Sequence, residues 1–253
     1  MARKRKKKFA RAVVATAVAL CTIAMLFYYT RSHFTGARVH YPEFGIRMPK
    51  KYRIHGIDVS RYQQNISWDL VKEMQVRDIR IGFAFMKATE GISIFDRSFK
   101  RNWRRSGNEG LPRGAYHYFI PTISGEKQAE YFIKHVKLKT GDLPPVLDIE
   151  ETRGVPSRVL ISNLKVWLSM VEEHYGVKPI IYSGANFYRQ YLSGEFEDYP
   201  LWIAHYETDS PRIGRPWQFW QHNEKGRVDG IDAFVDFNVF AGDSLAFKEM
   251  LVR

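Results

Sequence analysis

Asp148 and Glu150 stand two residues apart at the end of the run Pro144-Pro145-Val146-Leu147-Asp148-Ile149-Glu150. Side chains alternate across a strand, so Val146, Asp148 and Glu150 share one face and Leu147 and Ile149 the other. Two neighbouring carboxyls raise each other's proton affinity, so one can stay protonated near neutrality and donate to a leaving oxygen. At the C-terminal end of a buried strand they sit where parallel α/β folds place their chemistry. An Asp-x-Glu pair taken alone is more often two surface acids at a strand-to-loop junction. The apolar run before this one argues against simple exposure.

The elements that must position this pair alternate along the chain. Strands are expected at 53–60, 78–88, 114–119, 144–150, 179–182, 200–204, 217–221 and 234–238, from short apolar or alternating runs bounded by Gly, Pro and polar residues. Helices are expected from the Ser67 N-cap, over 95–107, 124–136 and 157–175, and at 244–251. Repeated strand–helix units imply parallel strands with the helices outside. Eight strands whose alternation with helices fades after the fifth predict an α/β fold, an incomplete TIM-like (β/α) barrel with about five flanking helices. In such a barrel the strand C-termini share one rim.

Collected along that rim, the residues form a biased set: Asp58; Lys87 and Glu90; Tyr116, His117 and Tyr118; Asp148 and Glu150; Tyr182; Trp202, His205 and Tyr206; Gln221; Asp236. Several carboxylates among Tyr, Trp and an amide suit a carbohydrate site. Rings stack on sugar faces, amides and acids bind hydroxyls, and glycosidic cleavage needs a proton donor beside a second acid. Lys87, Glu90, Tyr116, Tyr118, Tyr182, Trp202, Tyr206 and Gln221 are therefore the expected substrate contacts. Each aromatic considered singly is more often rim packing. His117, between two tyrosines, reads as a hydrogen-bonded structural histidine, and Lys87 as a neutraliser of a nearby carboxylate. Asp229 and Asp232, close to Gly230, look like turn residues. Four acids can also hold a hard cation, but no Asp-x-Asp-x-Asp loop is present, so neither a metal nor a cofactor is expected.

The net charge of +12 is not spread over the chain. Residues 1–53 hold 13 of the 39 bases and one of the 27 acids, so the remaining 200 residues carry 26 of each and are neutral. A basic tail on a neutral domain is not a nucleic-acid-binding face. Seven bases fall between Arg3 and Arg11, followed by an uncharged stretch from Ala12 to Thr30 and then Arg31. Nineteen residues span roughly 28 Å as a helix, about a bilayer's hydrocarbon thickness. The expected organisation is a cytoplasmic tail at 1–11, a transmembrane anchor at 12–30, a linker at 31–53 and an extracytoplasmic domain at 54–253. A cleaved signal peptide followed by secretion competes with the anchor, with Thr35-Gly36-Ala37 as the nearest approximation to a cleavage site. Cys21, the only cysteine, lies within the apolar segment, so the domain is expected to hold together by its core and without disulfides, as a monomer.

Seven motifs occur in order: Gly56-Ile57-Asp58-Val59-Ser60, Lys87-Ala88-Thr89-Glu90-Gly91, Gly114-Ala115-Tyr116-His117-Tyr118-Phe119, Pro145 to Glu150, Leu201-Trp202-Ile203-Ala204, Trp220-Gln221 and Val235-Asp236-Phe237-Asn238. Together they resemble the glycoside hydrolase family 25 lysozymes, the Chalaropsis-type N-acetylmuramidases, over about residues 54–240. The resemblance implies an eight-stranded incomplete barrel. It also implies hydrolysis of the β-1,4 bond between N-acetylmuramic acid and N-acetylglucosamine in peptidoglycan, the expected partner. By that resemblance Glu150 matches the family's catalytic acid, Asp148 its strand partner, and Asp58 and Asp236 the further cleft acids. Arg61-Tyr62 and Phe85-Met86 stand where the family often has His-Trp and Tyr-Ile pairs, departures that touch a subsite wall. A catalytically weak glycan-binding module and a metal-dependent deacetylase are the competing expectations.

Overall fold

The computed structural model describes residues 19–22, 25 and 38–253. Its strands are β1 (Arg38–Tyr41), β2 (Ile46–Pro49), β3 (Ile54–Val59), β4 (Gln75–Val76), β5 (Ile79–Glu90), β6 (Ile94–Phe95), β7 (Arg113–Tyr118), β8 (Val146–Asp148), β9 (Ile180–Gly184), β10 (Leu201–Ala204), β11 (Phe219–Val228) and β12 (Ile231–Phe240). The helices are α1 (Trp68–Glu73), α2 (Phe99–Asn108), α3 (Gly125–His135), α4 (Ser157–Tyr175) and α5 (Ser244–Glu249), with a short helical stretch over Ala185–Leu192.

Eight strands close a barrel in the order β3, β12, β11, β10, β9, β8, β7, β5, and β5 returns to β3. The expected strands and helices are all present, within a few residues of their ends except for β11, which runs to Val228. One expectation about direction fails. β12 runs antiparallel to both β11 and β3. No helix separates β11 from β12, so the chain turns back as a hairpin instead of crossing over, and a hairpin return is necessarily antiparallel. The consequence for the rim is that β12 contributes its middle rather than its C-terminal end: Asp236 lies opposite Asp58.

Inward-facing positions sort into a floor and a mouth. The interior holds Phe83, Phe85, Val146, Ile180, Tyr182, Trp202, Phe219 and Phe240, with Phe247 from α5 packed beneath. Phe85 stacks on Trp202 at 4.4 Å, and Phe83 meets Phe219 edge-on at 5.2 Å. Rings this large need space opposite them. A Cβ on Gly56 would come within 2.5 Å of Phe83, and one on Gly114 within 2.5 Å of Phe85. These two glycines let the aromatic floor close, and two residues further along β3 and β7 the same face carries Asp58 and Tyr116. On β8, Val146 faces this interior, while Leu147 and Ile149 pack in the outer cluster with Leu160, Leu164, Leu168 and Val171 of α4.

Residues 38–49 correct the expected linker. They form a two-stranded antiparallel hairpin, β1 on β2, and the side chains of Phe44 and Met48 are fully buried. Phe44 packs edge-on against Phe237 at 5.2 Å, and Arg227 N–H donates to the Phe44 carbonyl at 2.9 Å. The hairpin belongs to the folded domain; its prolines and single-residue apolar positions disguised it as a spacer. Most of the stretch 12–30, expected to be an anchor, lies outside the described residues. Among the described residues no helix is long and apolar enough to cross a membrane.

Candidate active site

The barrel mouth holds a cavity of about 280 Å³ lined by Asp58, Tyr116, Asp148, Glu150, Tyr182, Trp202, Tyr206, Gln221, Glu224 and Asp236. Larger surface hollows lie elsewhere, but this one alone gathers the strand-end acids. All four expected acids are brought together here.

They form two pairs. Asp58 and Asp236 are register partners on β3 and β12 and share a side-chain hydrogen bond. Asp58 Oδ2 also accepts from Asn238 Nδ2 at 2.7 Å and from Gln221 Nε2 at 2.8 Å. The Asn238 amide has its orientation fixed by an indole that can only donate, and Gln221 holds two tyrosine hydroxyls on its oxygen while its nitrogen serves Asp58. Trp202 Nε1–H donates to Asn238 Oδ1 at 2.8 Å, while the hydroxyls of Tyr182 and Tyr206 donate to Gln221 Oε1 at 2.8 and 2.6 Å. Burial pushes Asp58 up to about 7, against the pull of those amide N–H groups. Asp236 is pushed up to about 9, by burial first and then by the charges of Asp58 and Glu224. Asp236 is therefore the proton donor of this pair and Asp58 the acceptor.

Asp148 and Glu150 form the second pair. Asp148 is 5% exposed, whereas Glu150 is open to solvent at the mouth. Burial raises Asp148 well above the usual carboxylate range, reinforced by the charge of Glu150 and a hydrogen bond to it. Glu150 is also raised, by the cleft walls that exclude water from its flanks. Lys87 opposes both shifts through its positive charge. Two carboxyls this close retain one proton between them near neutrality. Asp148 Oδ1 is buried with no hydrogen-bond partner.

The expected substrate contacts divide. Tyr116, Tyr182, Trp202, Tyr206 and Gln221 line the cavity; Lys87, Glu90 and Tyr118 do not. Lys87 Nζ meets Glu90 Oε2 at 2.6 Å and lies 4.8 Å from the centre of the Tyr118 ring, and Tyr118 donates to Glu151 at 3.2 Å. This trio makes a neighbouring wall whose cation tunes the acids. Trp202 is 2% exposed and its ring face is covered by Phe85, so its polar edge serves Asn238. Tyr206, 36% exposed, keeps an accessible ring. Burial raises the phenols of Tyr116, Tyr182 and Tyr206, which therefore remain donors. His117 is structural as expected: it is buried between Thr89 Oγ1 at 2.7 Å and Gln128 Oε1 at 3.2 Å, and burial holds it down to about 3.

Two residues of the site are not among those expected from the sequence. Asn238 had a signal, because it shares a strand face with Asp236 two residues earlier. Glu224 had none: register shifts on β11 between Gln221 and Asn223 and again before Gly226 change which residues face the cleft. Among the described residues no group of His, Cys, Asp and Glu has the arrangement to hold a metal ion.

Residues 57–231, more than half of the chain, match the family model described as Glycosyl hydrolases family 25. A relative in Escherichia coli K12, with the name Uncharacterized protein YegX, is 50% identical over 211 residues, 83% of this chain and 77% of that protein. Lysozyme M1 of Streptomyces globisporus is 33% identical over 210 residues, 76% of this chain and 69% of that protein. Among solved structures, a family 25 glycosyl hydrolase from Bacillus anthracis superposes with a TM-score of 0.74 at 32% identity, covering 84% of this chain and 96% of the other.

Proposed function

The chain belongs to glycosyl hydrolases family 25, and from that membership and the chemistry of its cleft we infer that it is a peptidoglycan hydrolase. It is an N-acetylmuramidase that cleaves the β-1,4 bond between N-acetylmuramic acid and N-acetylglucosamine. The observation that carries the assignment of roles is the Asp148/Glu150 pair, in which one member is buried and the other faces the mouth. Asp148, which holds the pair's proton, passes it to Glu150 as Glu150 protonates the glycosidic oxygen and the bond from that oxygen to the sugar's C1 breaks. Asp148, left as a carboxylate, stabilises the positive charge at C1 directly or orients the substrate's N-acetyl group toward it. Water then adds at C1 and the released proton returns to the pair, so the carboxyls end as they began. Asp58 and Asp236 hold sugar hydroxyls and keep the cleft polarised, and Tyr206 offers its ring to a sugar face.

Turnover of purified peptidoglycan with mass analysis of the reducing ends tests this reading. New N-acetylmuramic acid reducing ends are expected, and Glu150→Gln should lower their release by about a hundredfold or more while the protein still folds and binds glycan. Release at the normal rate by that variant would sink the role of Glu150. Absence of products from the unaltered protein would favour a glycan-binding module.

The same inference extends to placement. Arg3 to Arg11, the uncharged stretch Ala12 to Thr30 and the wall substrate support a cytoplasmic tail and a single membrane anchor, with the barrel acting outside as a monomer. A tethered hydrolase trims wall within reach of its anchor, which suits remodelling. N-terminal sequencing of the membrane fraction checks this. A mature start near Arg38 would replace the anchor with a cleaved signal peptide and a secreted enzyme.

A further inference from the structure

Five carboxyl groups line the cleft, and no lysine or arginine does. A base on the adjoining wall, Lys87, is occupied by Glu90 at 2.6 Å. Four of the five acids have work within the two proton-sharing pairs. The fifth, Glu224, is exposed on the lip formed by β11, and among the described residues it takes part in no ion pair. It nevertheless lines the cleft beside Asp236 and Tyr206, and its charge raises both. A second group points the same way: Asp148 lines the same cavity, and beyond the proton it shares with Glu150 its buried Oδ1 has no N–H donor.

Hydroxyl and acetamido groups of fully N-acetylated sugars are uncharged, and Tyr116, Tyr206 and Gln221 already offer them polar partners. A solvent-facing free carboxylate adds little for such a ligand. It repels a strand whose lactyl groups are bare carboxylates and attracts one that carries positive charge. We propose that Glu224 is a specificity residue of the cleft, and that its partner is a primary ammonium group carried by the peptidoglycan strand. The proposal rests on the muramidase reading for the identity of the strand. The ammonium has two sources with one chemistry: an amino sugar lacking its N-acetyl group, or the free side-chain amine of a diamino acid in the peptide stem. An extra carboxylate at the lip selects strands by modification state, a discrimination the four inner acids do not provide.

The test measures binding and so does not depend on turnover. Calorimetric affinities of the Glu150→Gln protein are compared for a glucosamine tetramer against an N-acetylglucosamine tetramer, and for a diamino-acid muropeptide before and after chemical acetylation of its amine. The ammonium form should bind about three- to fivefold more tightly in one of the two comparisons, the scale of a single ion pair at a partly shielded surface. Which comparison shows the difference identifies the source. Adding Glu224→Gln should bring that ratio to about one, and Glu224→Lys should invert it, with cooperative unfolding retained because the side chain is exposed. The preference should shrink as salt shortens the screening length, about 10 Å at 0.1 M. A ratio near one with Glu224 present, or a ratio that Glu224→Gln leaves intact, overturns the proposal. Loss of muramidase turnover in the unaltered protein with the ammonium preference intact would defeat the functional reading and leave this one standing.

Discussion

Asn238 Nδ2 donates to Asp58 Oδ2 at 2.7 Å while Asn238 Oδ1 accepts from Trp202 Nε1 at 2.8 Å. One amide thus fastens a buried indole to a cleft carboxylate, and its two ends cannot be exchanged, because an indole N–H only donates. Asn238→Leu keeps the volume but strands the indole N–H without an acceptor and strips one donor from Asp58. Denaturant unfolding should show a loss of about 1–3 kcal/mol. Asp58 should also titrate higher than in the unaltered protein, since Asn238 holds it down.

The raised carboxyls make stability depend on pH in an uncommon direction. Asp58 and Asp236 ionise at about 7 and about 9 when folded, against 3.8 for a free side chain. Between those values the folded chain binds more protons than the unfolded one, so stability falls as pH rises. Their contribution is whole below about pH 4 and is lost progressively above it, until about pH 7 for Asp58 and about pH 9 for Asp236, a window of pH 4 to 9. Melting temperatures should decline across that window, and Asp236→Asn should flatten its upper part. A melting temperature that rises through the same window would contradict the assignment.

Lys87 lowers both Asp148 and Glu150. Lys87→Met keeps a side chain of similar length beside Tyr118 but removes the charge. The pair should then keep its shared proton to higher pH, and the alkaline limb of kcat/KM for muropeptide release should move upward. An unchanged limb would show that the cation on the adjoining wall has no hold on the proton donor.

Phe44 carries the hairpin of residues 38–49 into the domain. Phe44→Ala should cost about 3–5 kcal/mol in denaturant unfolding, the usual figure for deleting a buried aromatic ring. A protein begun at residue 54 should be correspondingly unstable. If both changes cost less than about 1 kcal/mol, the hairpin is an ornament on the barrel.

Much of the fold was legible because periodicity reports burial directly. The alternation in Val146 to Glu150 and the helical spacing in Ser157 to Tyr175 follow from which side meets the core. Asp58, Asp148, Glu150 and Asp236 were legible for the same reason, as polar residues on inward faces of apolar strands. Glu224 was hidden by bulges, which change facing without changing composition. The antiparallel course of β12 was hidden because strand direction is set by the connection, and a short loop leaves little hydrophobic trace. Residues 38–49 were misread because a short hairpin buries only a few side chains, too few to establish a period.

The pairing of β12 with β3 also bears on when the site comes into being. Asp58 and Asn238 are 180 residues apart in the chain and direct partners in the barrel. A polypeptide emerging in order presents Asp58 long before it presents Asp236, Asn238 or Gln221. Until the last strand docks, that acid has neither its proton-sharing neighbour nor its amide donors, and the Asp148/Glu150 pair faces an open sheet edge. Closure of the barrel and assembly of the cleft are therefore one event. Synthesis order acts as a safeguard, and the hydrolase acquires its completed site only when its final strand is in place.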